Sequence, residues 1–222
     1  MIRMKNVFNW LKISSYKEGK HQCLEIKLCG GKEKMKTLII SGSPRKNGDS
    51  MTLVNEMVKY LDGEVRVINT YNNNISPCVD CRYCWDNKGC CINDEMQEVY
   101  QLLDEVDNVI IASPLYFSEL TGQLLSLASR LQLFFVSRCI RKDSEFKQKK
   151  KNGVLVISAG GDTHDYERSS RTANIIFHQM NTTPIGIVST IHTNDIPAKE
   201  DIEALDKARE LALKLNELHS LA

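Results

Sequence analysis

From Thr37 onward, apolar and polar positions fall into two alternating periods. "TLIISG" (Thr37 to Gly42) is a short apolar run closed by glycine, the pattern of a parallel strand buried on both faces. In "SMTLVNEMVKYL" (Ser50 to Leu61), Met51, Val54, Met57, Val58 and Leu61 recur at helical spacing and predict an amphipathic helix. "EVRVINT" (Glu64 to Thr70) alternates as a strand, and "DEMQEVYQLLDEV" (Asp94 to Val106) predicts a helix with Asp94 as N-cap. "NVIIASP" (Asn108 to Pro114) is a third strand, stopped by Pro114, and "GQLLSLASRLQLFFV" (Gly122 to Val136) predicts one long apolar helix. "GVLVISAGG" (Gly153 to Gly161), a helix over residues 166–180, "IGIVSTIHT" (Ile185 to Thr193) and a closing helix over residues 199–219 complete the series. Five strands alternating with five helices predict an α/β fold, a three-layer, doubly wound five-stranded parallel sheet. Such sheets bind ligands beyond the carboxyl ends of their strands. The exits of the first, third and fourth strands, "SGSPRKNGDS", "SPLYFSELTG" and "SAGGDTHD", are therefore the places to look.

Composition narrows the function classes. The 222 residues are 42% hydrophobic and 26% charged with net charge +1, so no strong field points to nucleic acid, and the basic run "KQKKKNG" reads as a solvated loop. No apolar run approaches the roughly 20 residues of a membrane span, and the basic N-terminus, interrupted by Asn9 and Lys12, is a poor export signal. The expected compartment is the cytoplasm, where clustered cysteines mean metal or redox chemistry more often than disulfides. Residues 1–34 do not share the alternating pattern. We expect them to be an extension, disordered or preceding the true start: opening at Met35 would put the first strand at the N-terminus, and Gly30-Gly31 can be encoded by GGAGGA, which resembles a ribosome-binding site. The expected domain is then residues 35–222, with a cysteine-rich insertion at 76–93.

The strand-to-helix junction "SGSPRKNGDSMT" is rich in hydroxyls. A helix N-terminus offers unpaired N–H groups and partial positive charge to a phosphate. Ser41, Ser43, Asn47, Ser50 and Thr52 add polar groups, and Arg45 a charge-assisted contact. The loop is neither G-x-G-x-x-G nor a Walker A sequence, so a terminal phosphate monoester such as that of FMN fits better than a dinucleotide or a nucleoside triphosphate. A serine-capped turn that binds nothing is the plain alternative.

Five of the eight cysteines lie in "CVDCRYCWDNKGCC". Cys78, Cys81 and Cys84 form C-x-x-C-x-x-C, a spacing that bacterial ferredoxins use, and one dense run favours a 4Fe–4S cluster over zinc. Cys90 and Cys91 compete for the fourth place, Cys90 being preferred on spacing. Free or redox-active thiols and a zinc site stay open as readings. Asp80, between the first two cysteines, tolerates a left-handed backbone better than most residues, though less easily than glycine. Cys23, Cys29 and Cys139 are isolated and read as inert.

These three stretches, "SGSPRKNGDSMTL", "CVDCRYC…CCINDEM" and "SPLYFSELTGQLLSLASR", resemble the NAD(P)H-dependent FMN reductases of the flavodoxin-like superfold, and more narrowly their iron–sulfur flavoprotein branch. The resemblance runs from about Met35 to the C-terminus. It implies strand order 2-1-3-4-5, FMN at the strand exits, NADH or NADPH as co-substrate, and homodimers or homotetramers. It also implies that Pro114, Leu115, Tyr116 and Phe117 wrap the flavin ring, and that Ala159, Gly160 and Gly161 form the third flavin loop. Two glycines there would let the backbone approach a ligand; His164 just beyond reads as solvated, and either aromatic could instead be core. The family's long helix commonly carries LK-x-x-x-DR; here leucine (Leu125) and serine (Ser129) replace the lysine and aspartate, while Arg130 remains.

Together these readings predict an NAD(P)H-dependent FMN oxidoreductase passing electrons through FMN, and through a cluster where one is bound, to a small-molecule or redox-protein acceptor. A clusterless flavin or quinone reductase, a non-enzymatic FMN electron carrier and a zinc-stabilised binding module are the alternatives. No acid–base residue is expected, since the cofactor carries the chemistry.

Overall fold

A computed structural model describes residues 14–17, 20–23, 34–161 and 166–221. The chain divides into two units, residues 1–33 and 34–222. In the first, Ser14–Lys17 and Lys20–Cys23 pair as an antiparallel ribbon. The rest of the expected extension, with Cys29, lies outside the described residues, and so does His164.

In the second unit β1 (Lys36–Ser41), β2 (Glu64–Asn69), β3 (Asn108–Pro114), β4 (Lys151–Ser158) and β5 (Thr182–Thr190) form one sheet. All four pairings are parallel, in the order β2-β1-β3-β4-β5, which is the expected 2-1-3-4-5. The helices are α1 (Asp49–Val58), α2 (Tyr83–Asp86), α3 (Met96–Glu105), α4 (Gly122–Ser129), α5 (Gln132–Phe135), α6 (Glu167–Gln179) and α7 (Ile202–Leu221).

The continuous apolar runs follow from burial of both sheet faces. Leu38, Ile40, Val109, Ile111, Leu155 and Ile157 pack with α3, α4 and α6, while Ile39, Ile110, Val154 and Val156 pack with α1 and α7. Each residue step along a central strand moves a side chain from one core to the other. The edges are plainer: β2 is largely exposed, and β5 carries Pro184, which an edge strand tolerates. Val58, expected on the apolar face of α1, is exposed instead, and Leu53 is buried.

The expected long helix over residues 122–136 is broken. At Arg130 and Leu131 the amides bond three residues back, to Leu127 and Ala128, and the chain turns before resuming as α5 and a π-helical segment, Val136–Ile140. The Tyr100 hydroxyl donates to the Arg130 carbonyl at 2.9 Å, so a contact from α3 helps fix the corner. Among the described residues no helix is long and apolar enough to cross a membrane.

Candidate functional site

Parallel register brings the exits of β1, β3 and β4 to one edge, with Ser41 opposite Ala112 and Pro114 opposite Ser158. The first two loops are bonded to each other. Gly42 N donates to Ala112 O at 2.7 Å, the Thr121 hydroxyl donates to Gly42 O at 2.8 Å, and Thr121 N donates to Ser113 Oγ at 3.2 Å. A Cβ at Gly42 would lie 2.6 Å from Thr121 Oγ1 and 2.9 Å from Leu124 Cβ, so only glycine fits between these loops.

Inside the first loop, Ser43 is buried, and its hydroxyl donates to Arg45 O at 3.0 Å while Asn69 Nδ2 holds Ser43 O at 3.0 Å. Ser41 is also buried, its hydroxyl turned to Met51 Sδ. Thr52, expected as a free donor, instead donates to Gly48 O within its own helix, which leaves its hydroxyl engaged. Arg45 is exposed and pairs with Asp49 at 3.5 Å, and Asn47 is exposed beside it. Ser50, in the first turn of α1, is different. It is 1% exposed and its hydroxyl has no hydrogen-bond partner. A buried unpaired hydroxyl costs free energy of roughly 1–3 kcal/mol, and at the head of an α-helix an anion is the group that would satisfy it.

The second loop turns back at once. Tyr116 N and Glu119 O, and Glu119 N and Tyr116 O, exchange hydrogen bonds around Phe117 and Ser118, whose φ values are +55° and +59°. This is a two-residue turn with both central residues left-handed. Phe117 is 99% exposed and Tyr116 is exposed too, so neither aromatic is core packing. Glu119 ties the turn to α6 through Thr172 at 2.8 Å. Since Leu115 N is engaged by Ser158 O and Tyr116 N by Glu119 O, the Phe117 and Ser118 amides are the donors this loop can offer a ring. In the third loop Ala159 is buried, fixed by Thr190 O and Thr193 N, and a Cβ at Gly160 would meet the Asn194 side chain at 2.8 Å; Gly161 is exposed with open space around it.

The cysteine segment leaves β2 at the same edge and is held from outside. Arg130 and Asp94 form an ion pair at 2.7 Å, their side chains 1% and 5% exposed. Arg130 also donates to Ser76 O and Ile92 O, and Asp94 accepts from Ser76 N and from Met96 N at the start of α3. The pair thus clamps both ends of the loop. Although burial alone would raise the Asp94 carboxyl, Arg130 and the two amides hold it below its ordinary value. Burial pushes the Tyr100 hydroxyl well up, so it remains a protonated donor. Ser129, which replaces the family's aspartate, accepts from Cys78 N at 2.9 Å.

Between the clamps, Asp80 and Arg82 are left-handed at φ +49° and +58°, as expected for Asp80. Cys78, Cys81, Cys84, Cys90 and Cys91 all line one cavity of about 140 Å³ beside Arg130. Burial raises the Cys84 thiol, helped by Cys90, Cys78 and Cys81, whereas the Tyr83 N–H lowers that of Cys81. Cys81 Sγ and Cys91 Sγ are 3.3 Å apart. Among the described residues no three or more His, Cys, Asp or Glu side chains stand together at metal-binding geometry, so the thiols face a common space without meeting at a point.

The chain matches the family model of NADPH-dependent FMN reductases over residues 35–194. It is 35% identical over 157 residues to an iron–sulfur flavoprotein of Methanocaldococcus jannaschii, covering 68% of this chain and 75% of that one. The chain belongs to the NADPH-dependent FMN reductase family, in its iron–sulfur flavoprotein branch. A second iron–sulfur flavoprotein, from Methanosarcina thermophila, is 28% identical over 82% of this chain and 93% of its own length. In fold the chain is similar to an NAD(P)H:quinone oxidoreductase from Methanothermobacter marburgensis, with TM-score 0.60, 16% identity, and 82% and 97% of the two chains covered.

As a member of this family the protein is an NAD(P)H-dependent flavin oxidoreductase, with FMN and a nicotinamide cofactor. Several residues that build its sheet edge give no motif signal. Thr121 and Ser113 fasten two loops, Asn69 braces the first, and Asn194 backs Gly160. Asp94 had a local signal as a helix cap, and its pairing with Arg130 across 36 residues had none.

Proposed function

We propose that this oxidoreductase seats the FMN phosphate on the loop from Ser41 to Thr52, with Ser50 as its buried donor, and lays the ring between residues 114–117 and 159–161. We assign Cys78, Cys81, Cys84 and Cys90 as ligands of a 4Fe–4S cluster. Bound FMN would accept hydride from NADH or NADPH, and a cluster held by these cysteines would relay electrons singly to a small-molecule or redox-protein acceptor. The chain's own part is positional. Gly42 lets the first two loops close on each other, Gly160 lets Asn194 pack behind the third, Ser50 presents a hydroxyl, and Arg45 adds charge at the rim. The Arg130–Asp94 clamp holds the cysteine loop against the core.

The unpartnered Ser50 hydroxyl carries the FMN assignment: unlike that of Thr70, which is also buried without a partner, it stands in the first turn of an α-helix, where an anion would satisfy it. The convergence of five cysteines on one cavity supports the cluster. Among them Cys90 is preferred to Cys91 as fourth ligand on its spacing from Cys84. That no three thiols meet at metal-binding geometry among the described residues favours a second reading, a flavin or quinone reductase without a cluster, and iron and sulfide analysis separates the two. We also place the protein in the cytoplasm as a homodimer or homotetramer, in keeping with a reduced thiol cluster and the family resemblance.

Ser50→Ala tests the flavin seat. A hydrogen bond to a charged group is worth roughly 1.5–3 kcal/mol, so the FMN dissociation constant should rise about tenfold or more. The ligand-free protein should lose no stability, since an orphan is removed. Unchanged FMN affinity would contradict this seat.

A further inference from the structure

Cys91 lies outside the four-ligand set, yet its sulfur is 3.3 Å from that of Cys81, and both residues are exposed. Two sulfurs sharing a tetrahedral zinc with bonds near 2.3 Å would stand about 3.8 Å apart. Thiolates on different irons of a cube would stand further apart still. The pair is therefore too close for both sulfurs to be ligands as placed. It is close to what a disulfide needs: a bond of about 2.05 Å requires an approach of roughly 1.2 Å. The chain turns sharply on either side of Cys81, at Asp80 and Arg82, both left-handed, and α2 follows before Cys91, so that Cys81 and Cys91 meet in the lining of one cavity.

We propose that Cys81 and Cys91 are a dithiol–disulfide pair in the cluster-free protein, a modification site that locks the cysteine loop against cluster loading. The oxidant is a low-molecular-weight disulfide. The Cys81 thiolate attacks one of its sulfurs, forming a mixed disulfide and releasing the first small thiolate. Cys91, losing its proton, then attacks Cys81 Sγ, forms the internal bond and releases the second. Two protein thiols lose two electrons, the small disulfide gains them, and the two protons leave on the released thiols. The consequence for loading rests on the cluster assignment above, since closure removes Cys81 from the ligand set; the bond itself does not.

The test uses the purified full-length protein, freed of iron by a chelator and exposed to glutathione disulfide. Remaining thiols are alkylated, and the protein is digested with trypsin. Cleavage after Arg82 and Lys88 puts Cys81 and Cys91 on different peptides, so a crosslink is visible by mass. We expect that crosslink in the wild type and in Cys78→Ser and Cys90→Ser, and its loss in Cys81→Ser and Cys91→Ser. A dominant crosslink through Cys78, Cys84 or Cys90, or none at all, overturns the pair. In parallel, oxidised wild type should take up less than a tenth of the iron that reduced wild type does on incubation with iron and sulfide. Reduction by dithiothreitol should restore it, and Cys91→Ser should load whether oxidised beforehand or not. Loss of loading in reduced Cys91→Ser would make Cys91 a ligand and overturn the proposal. If reduced wild type takes up no iron, the cluster assignment fails and the crosslink map alone decides the pair.

Discussion

At the exit of β1 the polar groups are engaged with one another before any ligand arrives: Ser43 with Arg45, Asn69 with Ser43, Thr121 with Gly42. One buried hydroxyl, that of Ser50, is left over. In residues 76–93 the reverse holds. The backbone is fastened at its two ends by Arg130 and Asp94, and the five thiols between them line a cavity without meeting at metal-binding geometry. The first region is preorganised on rigid elements, which suits a cofactor that must be oriented. The second is a loop tethered at its ends, whose thiols would have to draw together to hold a metal.

Breaking the clamp should separate the two regions most sharply. In Arg130→Met, Asp94 keeps a buried charge without its partner, and we expect a loss of about 3–5 kcal/mol in chemical denaturation. The cysteine loop should release at Ser76 and Ile92, so iron content should fall by more than half while FMN affinity in the folded fraction changes less than threefold. An equal fall in both would show that the regions are not independent.

A smaller effect is expected from the preorganised side. The Cβ of Gly42→Ala would press on Thr121 and Leu124, and overpacking of this kind costs about 1–3 kcal/mol. Because Thr121 holds both loops, FMN binding should weaken with it while iron content stays the same, the mirror image of Arg130→Met. Titrating FMN fluorescence and assaying iron on one preparation checks both.

The smallest effect is on pH dependence. Asp94 is held below its ordinary value, near about 3.9 for a free Asp. Its contribution to stability is therefore complete above that pH and is lost as pH falls through the lower folded value. The stability difference between wild type and Asp94→Asn, measured by urea midpoints, should be constant from pH 6 to 5 and shrink below about pH 4. A difference that grows on acidification would contradict the clamp.

The sheet was legible because β1, β3 and β4 are covered on both faces and so read as unbroken apolar runs. Which exits meet was legible from the strand order that the family resemblance implied. The broken helix was not legible, since the apolar period continues through Arg130 while the break involves Tyr100 on another helix. The turn at Phe117 and Ser118 lacks the Asn-Gly signature of left-handed pairs. It is closed by its own backbone bonds and anchored through Glu119 to Thr172, a contact across 53 residues. Asp80 shows the opposite case, a left-handed residue at a position where Asp tolerates that conformation, though less easily than glycine.

The central claim, a flavin seat beside a cluster site, is tested most directly by the visible spectrum of anaerobically purified protein with iron and sulfide analysis on the same sample. We expect flavin bands over a broad absorption at about 400 nm, with about four irons and four sulfides per chain. Flavin bands with no iron would contradict the cluster, and a colourless protein that cannot be loaded with FMN would contradict the seat itself.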